Sequence, residues 1–519
     1  MNSLSQRTRS PWMDFLTPQA PPLAGDLTTD IVVVGAGLAG MTAAYLLAEA
    51  GREVVVLDPG PPGGGMTSRT TAHLASALDD RWADLIDVRG EKHARLAAAA
   101  HAGAIDLIEQ IQATAGIDCD FARVDGWLLP AEPKHHDELR EEYEAARKLG
   151  LEGVALQQAS PYGNGLCLRF QRQGRFHPLK YLAGLRARIE ARGGRFFAAR
   201  ALSAADGEPV VVELDGDRSV TGRAAIVCTN APINDRLAIH TKQAPYRTYA
   251  IAAPVPRGSV PDALLWDTAD PYHYVRLQPM GERDLLIVGG EDHKSGQATD
   301  MPERLARLED WARSRFPGMA GVAWRWSGQV MESIDYLGYL GRNPGDKHVH
   351  IVSGDSGMGM THATIGARII ADQILGRSNP WEEAFVPGRI SLKAAGSYAS
   401  ENLNVAAQMA DHVTAGEVDS TDEIEAGSGA IVRRGLHKVA AFRDDDGTLH
   451  ECSAVCPHVG CVVAWNNFEK CWDCPCHGSQ FTPEGHVING PAKVDLAPVE
   501  GGPAARPGRD QRARASRPH

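Results

Sequence analysis

From Thr28 onward the chain alternates short apolar runs with amphipathic stretches, the pattern of strands and helices taking turns. Ile31-Val32-Val33-Val34 is an unbroken β-branched run, which predicts a parallel strand buried on both faces. Leu38, Met41, Tyr45 and Ala48 then recur at helical spacing, Gly51 stops the helix, and Val54-Val55-Val56-Leu57 is the next strand. Helical patterns are expected at 91–115, 136–149, 178–192 and 302–315, the last stopped by Pro317-Gly318. Alternation over Tyr272–Leu277, Leu285–Val288 and Val322–Val330 predicts antiparallel strands. A strand at 348–353 runs into the glycine-rich Gly354–Gly359, and a helix is expected from about Thr361 to Leu375. A second strand–turn–helix this late predicts a discontinuous first domain with a β-rich domain inserted.

Composition narrows the class. The 519 residues call for more than one domain, and 43% hydrophobic content is enough for a substantial core. A net charge of −12 repels polyanions, so no nucleic-acid partner is expected. The start MNSLSQRTRSPWMDF lacks an apolar signal core and no run approaches a membrane span, which predicts a cytoplasmic protein with no membrane span. Residues 1–27, with Pro18, Pro21 and Pro22, read as a loose N-terminal arm, 386–420 as a polar linker with some helical character, and the Arg-rich 501–519 as a disordered tail. Cysteine placement is more telling. Cys119, Cys167 and Cys228 are scattered and read as core thiols, whereas the other six of the nine crowd between Cys452 and Cys476. Such crowding points to a metal site in a small module at 421–500.

Gly35-Ala-Gly37-Leu38-Ala39-Gly40 follows the first buried strand, opens a helix, and is answered by Asp58 at the end of the second strand. Gly35 permits the tight turn, Gly37 lets the backbone approach a pyrophosphate, and Gly40 packs helix on strand. The helix N-terminus adds N–H donors, and Asp58 can accept from ribose hydroxyls. These parts together predict dinucleotide binding. Only one such fingerprint is present, which favours tightly held FAD over exchangeable NAD. The late loop Gly354–Thr364 fits that reading, its helix N-terminus facing a flavin edge.

Residues 28–390 resemble the D-amino-acid oxidase/glycine oxidase superfamily of FAD enzymes, on the fingerprint, the stretch Gly63–His73 and the late Gly354–Thr364 loop. Segments Pro245–Tyr249, Tyr272–Arg276, Gly289–His293 and Trp326–Gln329 resemble a subgroup with a C-terminal Rieske domain. The resemblance implies a discontinuous Rossmann-like FAD-binding domain (28–90, 178–235 and 335–385) and an inserted antiparallel-sheet substrate domain (91–177 and 236–334), with a small all-β domain following. It implies FAD held by the fingerprint, by Thr67, Ser68, Arg69, Thr70 and Thr71, and by Gly357, Met358, Gly359, Met360 and Thr361. His73 lies near where relatives that oxidise dimethylglycine carry a flavin-linked histidine; a hydrogen-bonding or helix-starting histidine is the plainer reading.

The C-terminal motif is Cys456-Pro-His458-Val-Gly-Cys461, then Cys474-Pro-Cys476-His477-Gly-Ser479. Its bare ligand spacing also permits a Cys₂His₂ zinc site. As a whole it resembles a Rieske [2Fe–2S] domain. That resemblance implies Cys456 and Cys474 on one iron, His458 and His477 on the other, and a Cys461–Cys476 disulfide clamping the two loops. An oxygenase would also need a mononuclear iron triad, of which His293 with Glu291 or Asp292 is a fragment. Cys452 and Cys471 read as small buried thiols.

For the substrate, Arg247 and Arg276 with Tyr249, Tyr272 and Tyr274 make an arginine fork with phenolic hydroxyls suited to a carboxylate, and His293 and Lys294 follow a strand that reaches the same region. Arg276, Tyr274, Arg247 and His293 are therefore the candidate catalytic residues. The sequence reads as an FAD-dependent oxidoreductase that oxidises a small amine or amino acid at C–N by hydride transfer to flavin. Electrons would pass singly to the Rieske cluster and on to a one-electron acceptor or redox protein. Two other readings remain: an electron-transfer protein without a metabolite substrate, and an oxidase with a structural Rieske module.

Overall fold

The computed structural model describes residues 8–234 and 239–499. The apolar runs meet in a six-stranded sheet ordered Tyr339–Arg342, Val349–Ser353, Ala224–Val227, Ile31–Val34, Val54–Asp58 and Arg195–Ala198, parallel except at the Tyr339–Arg342 edge. Alternate residues of its strands serve two different layers. Ile31, Val33, Val54 and Val56 face the helices Leu38–Glu49 and Pro178–Ala191. Val32, Val34, Val55 and Leu57 face a four-stranded sheet built from Leu27–Thr28, Ala201–Ala205, Val210–Leu214 and Arg218–Gly222. Burial on both sides is why these runs show no polar alternation.

A nine-stranded sheet forms the second body, with Trp324–Ser333, Gln243–Pro256, Arg283–Lys294 and His273–Met280 adjacent and antiparallel. Three of these overlap the expected strands: Leu285–Val288 lies inside Arg283–Lys294, and the other two start later and run further than their alternation suggested. Gln243–Pro256, which pairs on both sides, escaped the sequence reading because Pro245, Pro254 and Pro256 interrupt it.

Two expected boundaries are corrected. The helix expected at 91–115 begins at Trp82, with a break at Gly90, and packs on the helix Gly359–Ile374, where His101 Nδ1 lies 2.9 Å from Thr361 Oγ1. The expected break between domains at 90/91 thus falls inside one helix, and the strands of 122–175 join the large sheet. The N-terminal arm is not loose from Thr8 on. Trp12 and Met13 are buried, Trp12 Nε1 donates to the Thr70 carbonyl, and the Arg276 guanidinium stacks 5.4 Å from the Trp12 ring. Two large apolar side chains override the polar, proline-rich context. The tail at 501–519 and the expected boundary at residues 235–236 lie outside the described residues.

Beyond the helix Ala395–Met409, two small antiparallel sheets make up the C-terminal domain, Ser428–Ser453 in three strands and Ala464–Asn489 in four. Two buried ion pairs bind it to the rest. Arg247 donates from Nη2 to both Asp473 oxygens at 2.8 Å, and Arg69 pairs with Glu469 at 2.9 Å. All four side chains are at most 3% exposed. Ser327 N–H and Oγ also donate to Glu469 Oε1, and Thr8 Oγ1 donates to the same carboxylate.

Asp473→Ala leaves the Arg247 guanidinium buried without its carboxylate, which should cost about 3–5 kcal/mol of domain attachment; protease cleavage within 386–420 should quicken correspondingly. Burial alone would raise Glu469, but Arg69 and Arg247 overcome that and hold it below its usual 4.5. Its contribution is therefore full above that value and lost as pH falls through the folded-state value. Protease sensitivity should rise on acidification below pH 4.5; a rise only on alkalinisation would contradict the assignment.

Candidate functional site

The chain leaves the first strand at Gly35 with φ +104°, where a Cβ would stand 2.3 Å from the Cys228 carbonyl oxygen. The helix that follows starts beside Thr67, whose Oγ1 accepts from Leu38 N–H at 3.1 Å. Asp58 accepts from Ala36 N–H at 2.8 Å and Gly60 N–H at 2.9 Å, so it fastens the turn as well as facing the cavity in front of it. Gly40 packs the helix against that turn. Gly35, Gly37, Leu38, Ala39, Asp58, Thr67, Thr70 and Thr71 line one cavity, together with Gly357, Met358, Gly359 and Met360. Gly357, at φ +68°, sits where a Cβ would lie 2.1 Å from Asp79 Oδ2. Into this cavity His73 presents a ring whose Nε2 is buried without a hydrogen-bond partner. Burial, then the Arg276 charge, lowers His73 to about 3. A helix N-terminus, a glycine loop and a neutral ring nitrogen lining one cavity fit a flavin dinucleotide.

Several expected site residues lie elsewhere. Ser68 is buried off the cavity and donates to the Gly65 carbonyl, while Thr361 bonds to His101 and to the Met358 carbonyl. Arg69 borders the cavity, but its guanidinium points away to Glu469. Arg247 is spent on Asp473 and Ser327. Arg276 donates to the carbonyls of Ala72 and Phe176 and to Gln278, so it secures the loop behind His73. His293 bonds to the Tyr249 hydroxyl at 2.9 Å and to the Lys294 carbonyl, away from the cavity. Glu291 pairs with Arg307, so the fragment of an iron triad at 291–293 does not converge. Each long side chain was drawn to a buried counter-charge or carbonyl that pattern alone does not reveal.

Tyr274 does line the cavity, stacked 5.9 Å from His73 and 2.9 Å from Thr248 Oγ1. Beside it stand residues the sequence reading missed: Asp79, Trp266, Asn230 and Gln329. Asp79 accepts from the Tyr272 hydroxyl at 2.8 Å, and burial raises it to about 6. The Asp79-Asp80 pair just after the Gly63–His73 stretch was the available signal.

In the C-terminal domain the Cys456 and Cys474 thiols are in mutual hydrogen-bond contact, and the His458 and His477 rings lie 5.0 Å apart. His477 Nδ1 is buried without a hydrogen-bond partner; burial and the neighbouring His458 and His240 lower the ring to about 3, the neutral form that a metal needs. Cys461 and Cys476 are disulfide-bonded, joining the two loops. Two thiols in contact and two neighbouring imidazoles, on loops joined by a disulfide, fit a [2Fe–2S] cluster. Cys452 and Cys471 are buried thiols outside this set.

The cluster loops rest on the flavin-binding body. His240 lies 4.9 Å from the His458 ring and 6.0 Å from the His477 ring. Gln329 lines the flavin cavity while its Nε2 donates at 2.8 Å to the carbonyl of Gly478.

The family model described as FAD dependent oxidoreductase matches residues 30–373. This chain belongs to that family. The Rieske [2Fe-2S] domain model matches residues 414–500, and the two together make the chain a flavoprotein oxidoreductase with an iron–sulfur centre. A Bacillus subtilis protein described only as a Rieske 2Fe-2S iron-sulfur protein, YhfW, is 30% identical over 93% of this chain and 96% of its own length. Gamma-glutamylputrescine oxidoreductase of Escherichia coli is 26% identical over 72% of this chain and 90% of its own. Among solved structures, glycine oxidase from Geobacillus kaustophilus superposes with a TM-score of 0.59 at 17% identity, covering 70% of this chain and 99% of that one, which shows a shared fold. No helix of the described residues is long and apolar enough to cross a membrane.

His477→Ala in this flavoprotein should abolish the cluster's electron-paramagnetic signal and leave FAD bound, because no flavin-cavity residue is altered. Asp58→Ala should do the reverse, releasing FAD on gel filtration while the cluster signal persists.

Proposed function

We propose that the protein oxidises a small amine at a carbon–nitrogen bond and passes the electrons one at a time through its Rieske cluster to an external one-electron acceptor. The observation that carries this is Gln329, a single side chain that borders the flavin cavity and bonds to the loop holding His477. When bound, FAD supplies acceptance of a hydride equivalent from the carbon next to nitrogen, and the cluster supplies one-electron acceptance. The protein's own groups position the substrate. Trp266, His73, Tyr274 and Tyr272 form a run of neighbouring rings along the cavity, and the Asp79 carboxylate, which accepts from the Tyr272 hydroxyl, lines it too, able to take a proton from the incoming amine. The similarity to an enzyme named for oxidation of gamma-glutamylputrescine supports an amine substrate.

Anaerobic addition of small amines should bleach the flavin absorbance. With His477→Ala the bleaching should persist and delivery to a one-electron acceptor such as ferricyanide should collapse. Undiminished delivery would make the Rieske module structural, and absence of bleaching by any amine or amino acid would favour an electron-transfer protein. Because Asp79 titrates near 6, the rate of bleaching should rise as pH passes upward through about 6, and Asp79→Asn should remove that limb.

A further inference from the structure

The contacts between the flavin-binding body and the ligand loops of the Rieske domain are unequal. Arg247 pairs with Asp473 and His240 lies beside the His458 and His477 rings, but neither residue lines the flavin cavity. Arg69 lines it and reaches Glu469, which stands outside both ligand loops. Gln329 does both: it lines the cavity, and its Nε2 donates at 2.8 Å to the Gly478 carbonyl. Gly478 follows His477 in the chain, and its own N–H donates to the Cys474 carbonyl at 3.1 Å, so this residue is joined to one histidine and one cysteine of the ligand set. The approach is built into the backbone. Gly478 has φ +81°, and a Cβ there would stand 2.7 Å from Gln329 Nε2 and 2.8 Å from Pro245 Cβ, so the glycine is what lets the loop reach the amide. The amide is also fixed end for end. Gln329 Oε1 accepts from Asn230 Nδ2 at 3.3 Å and from Asn489 Nδ2 at 3.0 Å, and Asn230 lines the cavity as well. Turned over, the amide would set its NH₂ against two NH₂ groups and its oxygen against the Gly478 carbonyl, which can only accept. Gln329 is 4% exposed and Asn489 1%, so water does not compete for these bonds.

We propose that Gln329 is a positioning residue for electron transfer: its amide bridges the flavin cavity to the peptide beside His477 and carries the electronic coupling between the two cofactors. The inference rests on the reading that the flavin empties through the cluster, and adds the route. Tunnelling falls off steeply across gaps of mere van der Waals contact and more gently through covalent and hydrogen bonds. A side chain that replaces such a gap with a 2.8 Å hydrogen bond therefore governs the rate. Each transfer takes one electron from the reduced flavin to the oxidised cluster. The two electrons of a hydride equivalent need two transfers, with the external one-electron acceptor emptying the cluster between them, and the flavin's proton passes to solvent. Asn230 and Asn489 act through Gln329, by holding its Nε2 toward the ligand loop.

The test uses the anaerobic holoenzyme reduced with dithionite, so it needs no substrate. Mixed with ferricyanide in stopped flow, it gives the rate at which the flavin absorbance returns. Gln329→Met keeps the length of the side chain but has no N–H to donate, and it should slow that return at least about tenfold. Both midpoint potentials, the cluster's electron-paramagnetic spectrum and protease cleavage within 386–420 should stay at parental values. Those readouts separate lost coupling from a changed driving force or a loosened module. Asn489→Ala removes one of the two donors that hold the amide and should slow the return several-fold; if the methionine variant fails to hold both cofactors, this variant decides. A parental rate in the deciding variant, or slowing accompanied by a shifted potential or quicker cleavage, overturns the inference. The reading of the cluster as the outlet then stands, provided His477→Ala is slow. If His477→Ala recovers its flavin absorbance as fast as the parent, the flavin empties without the cluster, and reading and inference fall together.

Discussion

The buried pairing of Arg247 with Asp473 is the contact on which the arrangement depends. Asp473 immediately precedes Cys474, and Arg247 lies in a strand that also borders the flavin cavity through Thr248 and Ala250. One ion pair thus ties the backbone next to Cys474 to the backbone of the cavity wall. Removing two charges from water is expensive, and the expense is offset here by saturation of the hydrogen bonds. Asp473 also accepts from Asn466 and Gln480, and Arg247 also donates to Ser327. The Arg69–Glu469 pair alongside it extends the same junction, so the Rieske module is held in one orientation with its histidine edge against His240 and Gln329.

What the sequence made legible were features carried by local backbone requirements. The glycine fingerprint, Asp58, the late loop and the cysteine–histidine motif each specify a turn or a donor set, and each recurs in the structure as a contiguous piece of one cavity or one loop pair. The long polar side chains were not legible in this way. Arg247 and Arg276 stand in strands where alternation says which face they take but not what lies across from it. Their partners, Asp473 and the Ala72 and Phe176 carbonyls, come from segments distant in the chain. The reverse error occurred at Asp79 and Glu332, which the sequence reading passed over and which become notable only when folding brings them to the wall of one cavity.

That contrast gives two neighbouring cavities different characters. The flavin cavity is shaped by glycines and small residues, so its form follows from backbone geometry. The one beside it, which shares Asp79, Trp266 and Tyr272 with it, is shaped by ionisable side chains on strands and loops that also carry Tyr272 and Tyr274, so its chemistry can change by substitution while the flavin seat stays fixed.

The Arg247–Asp473 contact also means that the iron–sulfur module is not electrically interchangeable between its attached and excised forms. In the whole protein, the carboxylate one residue before Cys474 is neutralised by a guanidinium and shielded from water. Cut free, the same domain would carry that negative charge bare beside its cluster, and Glu469 would lose Arg69 as well. Net charge is among the factors that set a cluster's reduction potential, and uncompensated negative charge beside it favours the oxidised state. A midpoint measured on the isolated domain would therefore describe a weaker electron acceptor than the one the flavin faces.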